Sequence, residues 1–181
     1  MSTLNTVFKQ YEQEAYASYE RISWITLDKN TDGTFKPQGV NDALDAYRHA
    51  YVSAVMTRDY NKIVAHVAGT AHEVRGELFG GQPAGERNMD LWNNSKGRDI
   101  GSAAPSRTAI AQNVYNALQN GELITEPITD TRKSSELYAE YRGVNTLLSA
   151  INNLYLQFKS WTPPRTDPLV LDLDNDGIET I

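Results

Sequence analysis

The sequence predicts an all-α protein in which five to six helices enclose a single core and a short extended tail with a calcium-type loop follows. Apolar residues recur at steps of three and four through most of the chain, which is the spacing of one helix face. Capping and turn-forming residues separate these stretches. The pattern changes at Pro163-Pro164, after which Leu169-Val170-Leu171 is typical of extended chain. We therefore expect one helical domain over residues 1–161 and the beginning of another domain over residues 162–181.

Apolar spacing places the first three helices, and turn residues end them. An Asp- and Asn-rich turn separates the first helix from the second. Asp59 or Asn61 can cap the third helix, which ends at Gly80-Gly81. The predicted ranges are 3–24, 41–58 and 62–78.

The second half of the chain contains three further helical stretches. A loop of flexible composition at residues 80–85 precedes the first of them. Ser106 can cap the next helix, which ends at Asn120-Gly121, and Ser134 or Ser135 can cap the last. The predicted ranges are 88–100, 106–120 and 134–161.

Composition excludes several classes of protein. The 181 residues include no cysteine and three histidines, and the formal net charge is −6. Without cysteine the chain has no disulfide framework, thiol nucleophile or cysteine zinc site. The acidic balance argues against nucleic acid and anionic membranes as partners. No apolar stretch reaches the ~18 residues of a transmembrane helix, so we predict no transmembrane segment. The first residues lack the basic and apolar regions of a signal peptide, so we expect none to be cleaved.

Near the end of the chain, acidic residues alternate as they do at the beginning of an EF-hand loop. Asp172, Asp174 and Asp176 precede Gly177. Their spacing lets three carboxylates converge on one cation, while the glycine permits a sharp turn. The glutamate that completes such a loop would fall beyond Ile181. We expect the complete loop to bind Ca²⁺.

Asp28, Asn30 and Asp32 repeat this pattern upstream. Position 12 of that loop is Gly39 instead of glutamate, although Asp42 can substitute from the next helix. These residues are therefore either Ca²⁺ ligands or a solvated turn.

Residues 167–180 resemble the opening of the calcium-dependent self-processing module of RTX-type bacterial exoproteins. In that family an Asp-Pro bond is cut autocatalytically, and the new aspartyl end can cross-link to a lysine amine. The resemblance implies that Asp167 and Pro168 are the scissile pair and that the three alternating aspartates are calcium ligands. It also implies that the chain is the N-terminal part of a larger secreted protein, exported without a cleaved leader by a type I or type VI route. Because most of the module is absent, we do not expect this chain to process itself.

The second predicted helix places an acid beside a histidine. Asp45 and His49 are four residues apart and share one face, where the carboxylate can orient the imidazole of a metal ligand or a general base. Arg48 is a candidate catalytic cation at the same place. It is alternatively a buried ion-pair partner of Asp45 or Asp90.

The third predicted helix adds two histidines and two glutamates. His72 and Glu73 are adjacent and diverge by about 100°, so we expect only one of them to point into any given site. Glu73 shares a face with Glu77. His66 is more typical of a packing or surface residue than of a ligand.

A polar stripe follows on the predicted helix over residues 88–100. Asp90, Asn93, Asn94 and Gly97 fall at i, i+3, i+4 and i+7, where an amphipathic helix normally carries apolar residues. Buried polar groups need partners, so the stripe indicates a neighbouring polar face, a metal or a substrate. Glycine inside a helix is unfavourable, and Gly97 therefore suggests a close approach of two backbones.

Residues 45–50, 72–73 and 89–98 together resemble a little-characterised family of all-α bacterial domains found in secreted and polymorphic-toxin-like proteins. The resemblance spans about residues 40–101. It implies that the three segments assemble into one site in a toxin-like effector, with an immunity protein as a possible partner.

The first functional hypothesis is a metal-dependent hydrolase. His49, His72 and Asp90 would hold Zn²⁺ or a similar ion, Glu73 would be the general base, and Asp45 would orient His49. The roles of His72 and Glu73 can be exchanged. Given the implied export, the expected substrate is a cell-envelope component such as peptidoglycan. A phospholipid ester or amide is the second candidate substrate.

Two alternatives remain open from the sequence. In a metal-free variant, His49 is the general base, oriented by Asp45, and Asn93 or Asn94 stabilises an oxyanion. In a non-catalytic variant, the helical domain serves delivery, adhesion or partner docking, and Ca²⁺ orders its loops after export. The polar residues would then form a structural network.

Overall fold

The computed structural model describes residues 4–70 and 83–136, and this part of the chain confirms the predicted all-α class. Helices α1 to α5 follow one another, and outside them the described residues form one isolated β-bridge, between Lys29 and Phe35, and no strand. The predicted final helix beyond residue 136 and the tail over residues 162–181 lie outside the described residues. The helices are α1 (Leu4–Ser23), α2 (Ala43–Asp59), α3 (residues 62–70), α4 (Ala84–Ala103) and α5 (Arg107–Gln119).

Capping residues set the helix ends much as the sequence predicts. Asn61 Oδ1 accepts the Val64 N–H at 2.9 Å at the start of α3, and Ser106 Oγ accepts the Ala109 N–H at the start of α5. Helix α4 begins at Ala84 instead of residue 88. Pro83 has the extended conformation of a residue before a helix, and Glu86 places a negative charge in the first turn, which the helix dipole favours.

Helix α2 is the centre of the core, and its tyrosines fill much of it. Tyr47 stacks on Tyr51 with ring centroids 5.7 Å apart and meets the edge of Tyr19 at 5.1 Å. Buried tyrosines need partners for their hydroxyl groups. The Tyr47 hydroxyl lies 2.9 Å from Ser18 Oγ, and the Tyr51 hydroxyl donates to Glu14 Oε1 at 2.7 Å. The α1–α2 interface therefore combines aromatic packing with hydrogen-bonded tyrosine hydroxyl groups.

Helices α2 and α4 pack closely because small residues meet at the crossing. A Cβ atom on Gly97 would lie 2.1 Å from the Ala50 carbonyl oxygen, and one on Gly101 would lie 2.1 Å from that of Ala54. No side chain fits at either position, so the two backbones touch. The close approach that Gly97 predicts from the sequence is confirmed.

Helix α3 runs antiparallel to α4. Lys62 Nζ lies 2.6 Å from Asp99 Oδ1 near the end of α4, whereas a Cβ atom on Gly69 would lie 3.5 Å from Asn94 Nδ2, nearer its beginning. Helix α3 therefore runs from the Asp99 end of α4 towards its Asp90 end.

Two asparagines of α4 hold the loop over residues 121–134 against the helix. Asn93 donates to the Ile124 carbonyl and accepts the Ile124 N–H, both at 2.9 Å. Asn88 likewise donates to the Arg132 carbonyl and accepts the Ser134 N–H at 2.9 Å. Each amide replaces a backbone partner, which is how a loop without regular structure satisfies its buried polar groups.

The turn that contains Asp28, Asn30 and Asp32 is stabilised by its own hydrogen bonds. Asp32 Oδ1 accepts bonds from the Thr34 N–H and hydroxyl, and Asn30 Nδ2 donates to Thr34 Oγ1 at 3.0 Å. Asp42, the possible substitute ligand, caps α2 through the Asp45 N–H. These contacts correspond to the alternative interpretation as an Asx-rich turn, and calcium binding at this loop stays a prediction.

Candidate metal centre

Two carboxylates and one imidazole converge between α2 and α4. His49 Nε2 lies 3.5 Å from Asp45 Oδ1 and 3.4 Å from Asp90 Oδ1. The ligand atoms of these three residues all lie within 4.8 Å of one another, so the group can hold a metal ion. We call Asp45, His49 and Asp90 the triad.

The sequence dictates two members of the triad locally, and helix packing supplies the third. Asp45 and His49 lie one turn apart on α2, so their side chains project from the same face. Asp90 comes from α4, and it reaches His49 because Gly97 lets that helix lie directly against the backbone of α2 at Ala50. The close crossing is therefore what completes the site.

The triad is shielded from solvent. Asp45 and Asp90 are each 5% exposed, and the His49 side chain is 13% exposed. Two carboxylates buried side by side repel each other and lose hydration, which is costly unless a cation or strong hydrogen bonds compensate. The triad therefore needs compensating positive charge, which a metal ion is able to supply.

Asp45 is held in its ionised form by its neighbours. Burial opposes ionisation, but His49 and Arg48 outweigh it, and the pKa of Asp45 is held below its usual value. Asp45 Oδ2 also accepts the Asn41 N–H at 2.8 Å, which fixes the orientation of the carboxylate. Oδ1 is therefore the oxygen turned towards His49 and Arg48.

Arg48 links the triad to α1. Its Nη2 donates to Asp45 Oδ1, and its Nη1 donates to Glu12 Oε1 at 2.6 Å. The expectation that Arg48 is an ion-pair partner of Asp45 is thus confirmed. Despite the burial of the guanidinium, these carboxylates raise the pKa of Arg48, so it is a permanent positive charge at the edge of the site.

Asp45 was predicted to orient His49, and the structure shows which nitrogen of the imidazole it faces. A carboxylate that only orients a metal-bound histidine contacts the ring nitrogen that does not bind the metal. Asp45 and Asp90 instead face the same nitrogen, His49 Nε2. Asp45 Oδ1 is therefore one of the three atoms that can reach a shared metal ion, and its predicted role of orienting His49 stays a prediction.

The two asparagines of the polar stripe are buried and face different neighbours. Asn93 is fully buried and uses both ends of its amide on Ile124, so the structure gives it the role of holding the 121–134 loop. Asn94 is 5% exposed and lies beside Gly69 of α3. Oxyanion stabilisation by either residue stays a prediction.

Other predicted residues lie apart from the triad or outside the described ranges. His66 is half-exposed, and its Nδ1 lies 3.4 Å from Glu136 Oε2, so the structure brings it to a separate ion-pair cluster with Arg98. The remaining predicted site residues lie outside residues 4–70 and 83–136. They are His72, Glu73, Asp167, Pro168, Asp172, Asp174 and Asp176.

Glu12 and Glu136 were not among the predicted site residues. Glu12 lies on α1, 36 positions before its partner Arg48, and Glu136 lies 38 positions after its partner Arg98. Pairs this far apart in sequence leave no periodic signal. The sequence signal for Glu12 and Glu136 was limited to a charged residue within an amphipathic stretch.

Within the described ranges, no helix combines the length and apolarity that crossing a membrane requires, in agreement with the sequence prediction. The described fold and site define an all-α protein with a buried Asp-His-Asp group able to hold a metal ion. The chain belongs to the family described as Domain of unknown function (DUF6973), whose model matches residues 8–122. That range covers more than half of the chain and includes the triad, Glu12 and Arg48. No solved structure matches the chain.

Proposed function

We propose that this protein is a metal-dependent hydrolase whose ion, Zn²⁺ or a similar divalent cation, is held by Asp45, His49 and Asp90. The observation that carries the proposal is the convergence of their three ligand atoms within 4.8 Å in a shielded site. Imidazole and carboxylate ligands are those that catalytic zinc sites use. Three protein ligands leave a coordination position for water.

The proposed chemistry is activation of that water. A bound divalent cation lowers the pKa of its water towards neutrality, which supplies a nucleophile for hydrolysis. Glu73 is the proposed general base, and His72 is a proposed ligand in place of Asp45, which would then orient His49. The roles of His72 and Glu73 can be exchanged.

We further propose a secreted, toxin-like effector that acts on a cell-envelope substrate such as peptidoglycan. Its support is the resemblance of residues 40–101 to domains of secreted bacterial proteins and of residues 167–180 to a calcium-dependent module. Export from the cell, Ca²⁺ binding by the aspartate loops and a protective immunity protein belong to the same proposal.

A second candidate function is a non-catalytic docking module. The observation that favours it is an exposed apolar pair at the end of α1, where Trp24 is 92% exposed and Ile25 is 52% exposed. Trp24 also has a φ of 60°, a left-handed conformation that is unfavourable for a bulky residue. A partner that covers this pair would explain why such a residue is held there.

The hydrolase proposal is tested by metal content and by activity on the same preparations. Wild-type protein should retain about one equivalent of divalent metal in elemental analysis and should release products from peptidoglycan or phospholipid vesicles. His49→Ala and Asp90→Asn should lose the metal and lower the rate at least about a hundredfold, because the activated water is lost.

Matched variants control for the loss of a histidine or a charge. His66→Ala removes a half-exposed histidine, and Asp99→Asn removes an exposed aspartate of the same helix as Asp90. Both should keep the metal and the activity. A wild-type protein that binds no divalent metal and releases no product would rule out the hydrolase in favour of the docking module. Triad variants with full activity would instead show that the triad does not carry the hydrolysis.

A further inference from the structure

Arg48 contacts the same carboxylate oxygen that a triad-bound metal would use. Its Nη2 donates to Asp45 Oδ1 and lies 3.4 Å from His49 Nε2. Asp45 Oδ1 is also the oxygen that lies 3.5 Å from His49 Nε2. The guanidinium therefore stands next to the position where a cation would meet both triad atoms.

Arg48 has a second anionic partner outside the triad. Glu12 accepts the Nη1 hydrogen bond at 2.6 Å, and its side chain is 33% exposed, compared with 8% for that of Asp45. The Arg48 side chain is itself 22% exposed, so it lies at the solvent-facing edge of the site. It can therefore shift from Asp45 towards Glu12 and still keep an ion pair.

A metal ion at the triad and the guanidinium of Arg48 would compete for Asp45 Oδ1. Arg48 neutralises this carboxylate when no metal is bound. A divalent cation at the triad would attract the same oxygen and repel the guanidinium, and repulsion between neighbouring charges is strong in a shielded site. Two cations cannot share the oxygen at full strength.

We propose that Arg48 is a built-in competitor of the metal ion, which withdraws towards Glu12 when a divalent cation binds the triad. This inference rests on the proposed function, because it describes regulation of the same site. The Glu12–Arg48–Asp45 chain then sets the concentration of metal at which the site fills, and it keeps Asp45 neutralised in both states.

Titration calorimetry with ZnCl₂ on chelator-treated protein tests the competition. Arg48→Gln should bind Zn²⁺ at least about tenfold more tightly than wild type, because the competing charge is gone. Glu12→Gln should bind at least about threefold more weakly, because Arg48 then has only Asp45 as a partner. Lys62→Gln removes one positive charge from an exposed pair with Asp99 and should leave the affinity within about twofold of wild type.

The opposite signs of the two effects separate competition from simple support of Asp45. If Arg48 only positions that carboxylate, Arg48→Gln will bind Zn²⁺ more weakly, and the inference is overturned. Circular dichroism checks that each variant folds. If Arg48→Gln does not fold, Glu12→Gln decides, and an unchanged or tighter affinity overturns the inference.

The same titrations distinguish this inference from the proposed function. Zn²⁺ binding that follows the expected order, in a protein without hydrolytic activity, overturns the hydrolase alone. Binding by wild type that Arg48→Gln leaves unchanged overturns the competition alone. Absence of binding in wild type and in Arg48→Gln overturns both.

Discussion

At the scale of single residues, Arg98 shows how an opposite charge compensates a buried charged side chain. Arg98 is 2% exposed, and its guanidinium pairs with Glu136. Burial opposes ionisation of that glutamate, but His66 and Arg98 outweigh it, so the pKa of Glu136 is lowered. The cluster joins α3, α4 and the end of the 121–134 loop, so one carboxylate supports three parts of the described chain.

Glu136→Gln should lower the free energy of unfolding at neutral pH by about 3 kcal/mol, because it leaves a buried arginine without its anionic partner. A lowered folded-state pKa contributes stability above the ordinary glutamate value of about 4.3, and that stability is lost as the pH falls through the folded-state value. In urea unfolding, the free energy of unfolding should therefore fall less between neutral and acidic pH in the variant than in wild type.

Glu126→Gln is the matched control for this experiment, because Glu126 is an exposed glutamate of the 121–134 loop that precedes Glu136. It should change the free energy of unfolding by less than about 0.5 kcal/mol. Equal effects of the two substitutions would show that the Arg98–Glu136 pair does not stabilise the fold.

At the scale of helices, the α2–α4 crossing decides where the functional groups lie. Gly97 and Gly101 face Ala50 and Ala54, and each glycine lies where a Cβ atom would overlap a backbone oxygen. Glycine lowers the intrinsic stability of α4, which is offset here by close packing of the two helices. The same packing brings Asp90 to His49.

Gly97→Ala should destabilise the protein by about 2 kcal/mol or more, because backbone overlap forces the helices apart and outweighs the gain of about 1 kcal/mol in helix propensity. The same substitution should weaken metal binding by moving Asp90 away from His49. Chemical denaturation and a metal titration measure the two effects.

Gly69→Ala provides the comparison, since Gly69 also lies in a helix but its added Cβ would make an ordinary contact at 3.5 Å with Asn94. We expect it to be neutral or to stabilise by up to about 1 kcal/mol. If Gly97→Ala behaves in the same way, the two helices do not require the close crossing.

At the scale of the whole molecule, a metal that binds only the folded protein adds its binding energy to stability. The triad joins α2 to α4, and Arg48 extends the connection to α1 through Glu12. Metal binding should therefore stabilise the domain as one unit instead of a single loop.

Zn²⁺ at about a hundred times its dissociation constant should contribute about 2.7 kcal/mol and raise the melting temperature of wild type by roughly 5–10 °C. A chelator should reverse the shift, and Asp90→Asn should not show it.

Melting with Ca²⁺ tests the aspartate loop separately. If the loop binds Ca²⁺, the melting temperature of wild type and of Asp90→Asn will rise with Ca²⁺, whereas that of Asp28→Ala will not. Identical melting temperatures for Asp28→Ala and wild type in Ca²⁺ would refute calcium binding by this loop.

Much of the fold follows from local rules in the sequence. The apolar spacing predicted the helices, and capping side chains such as Asn61 and Ser106 act within a turn of their own position. The start of α4 was misplaced because Gly85 is a poor helix residue, yet it lies in the first turn, where its small size lets α4 approach the Pro127 carbonyl. Part of the site was predictable for the same reason, because Asp45 and His49 share a face of one helix.

The sequence by itself determined the all-α class, the caps and the pairing of Asp45 with His49, because each of these depends on residues within one or two turns. Only the tertiary structure decided that Asp90 and Asp45 meet the same nitrogen of His49, that Arg48 bridges to Glu12 and that Asn93 holds a loop. These contacts join residues far apart in the chain. They depend on how closely and at what rotation the helices pack, which the spacing of residues on any single helix does not specify.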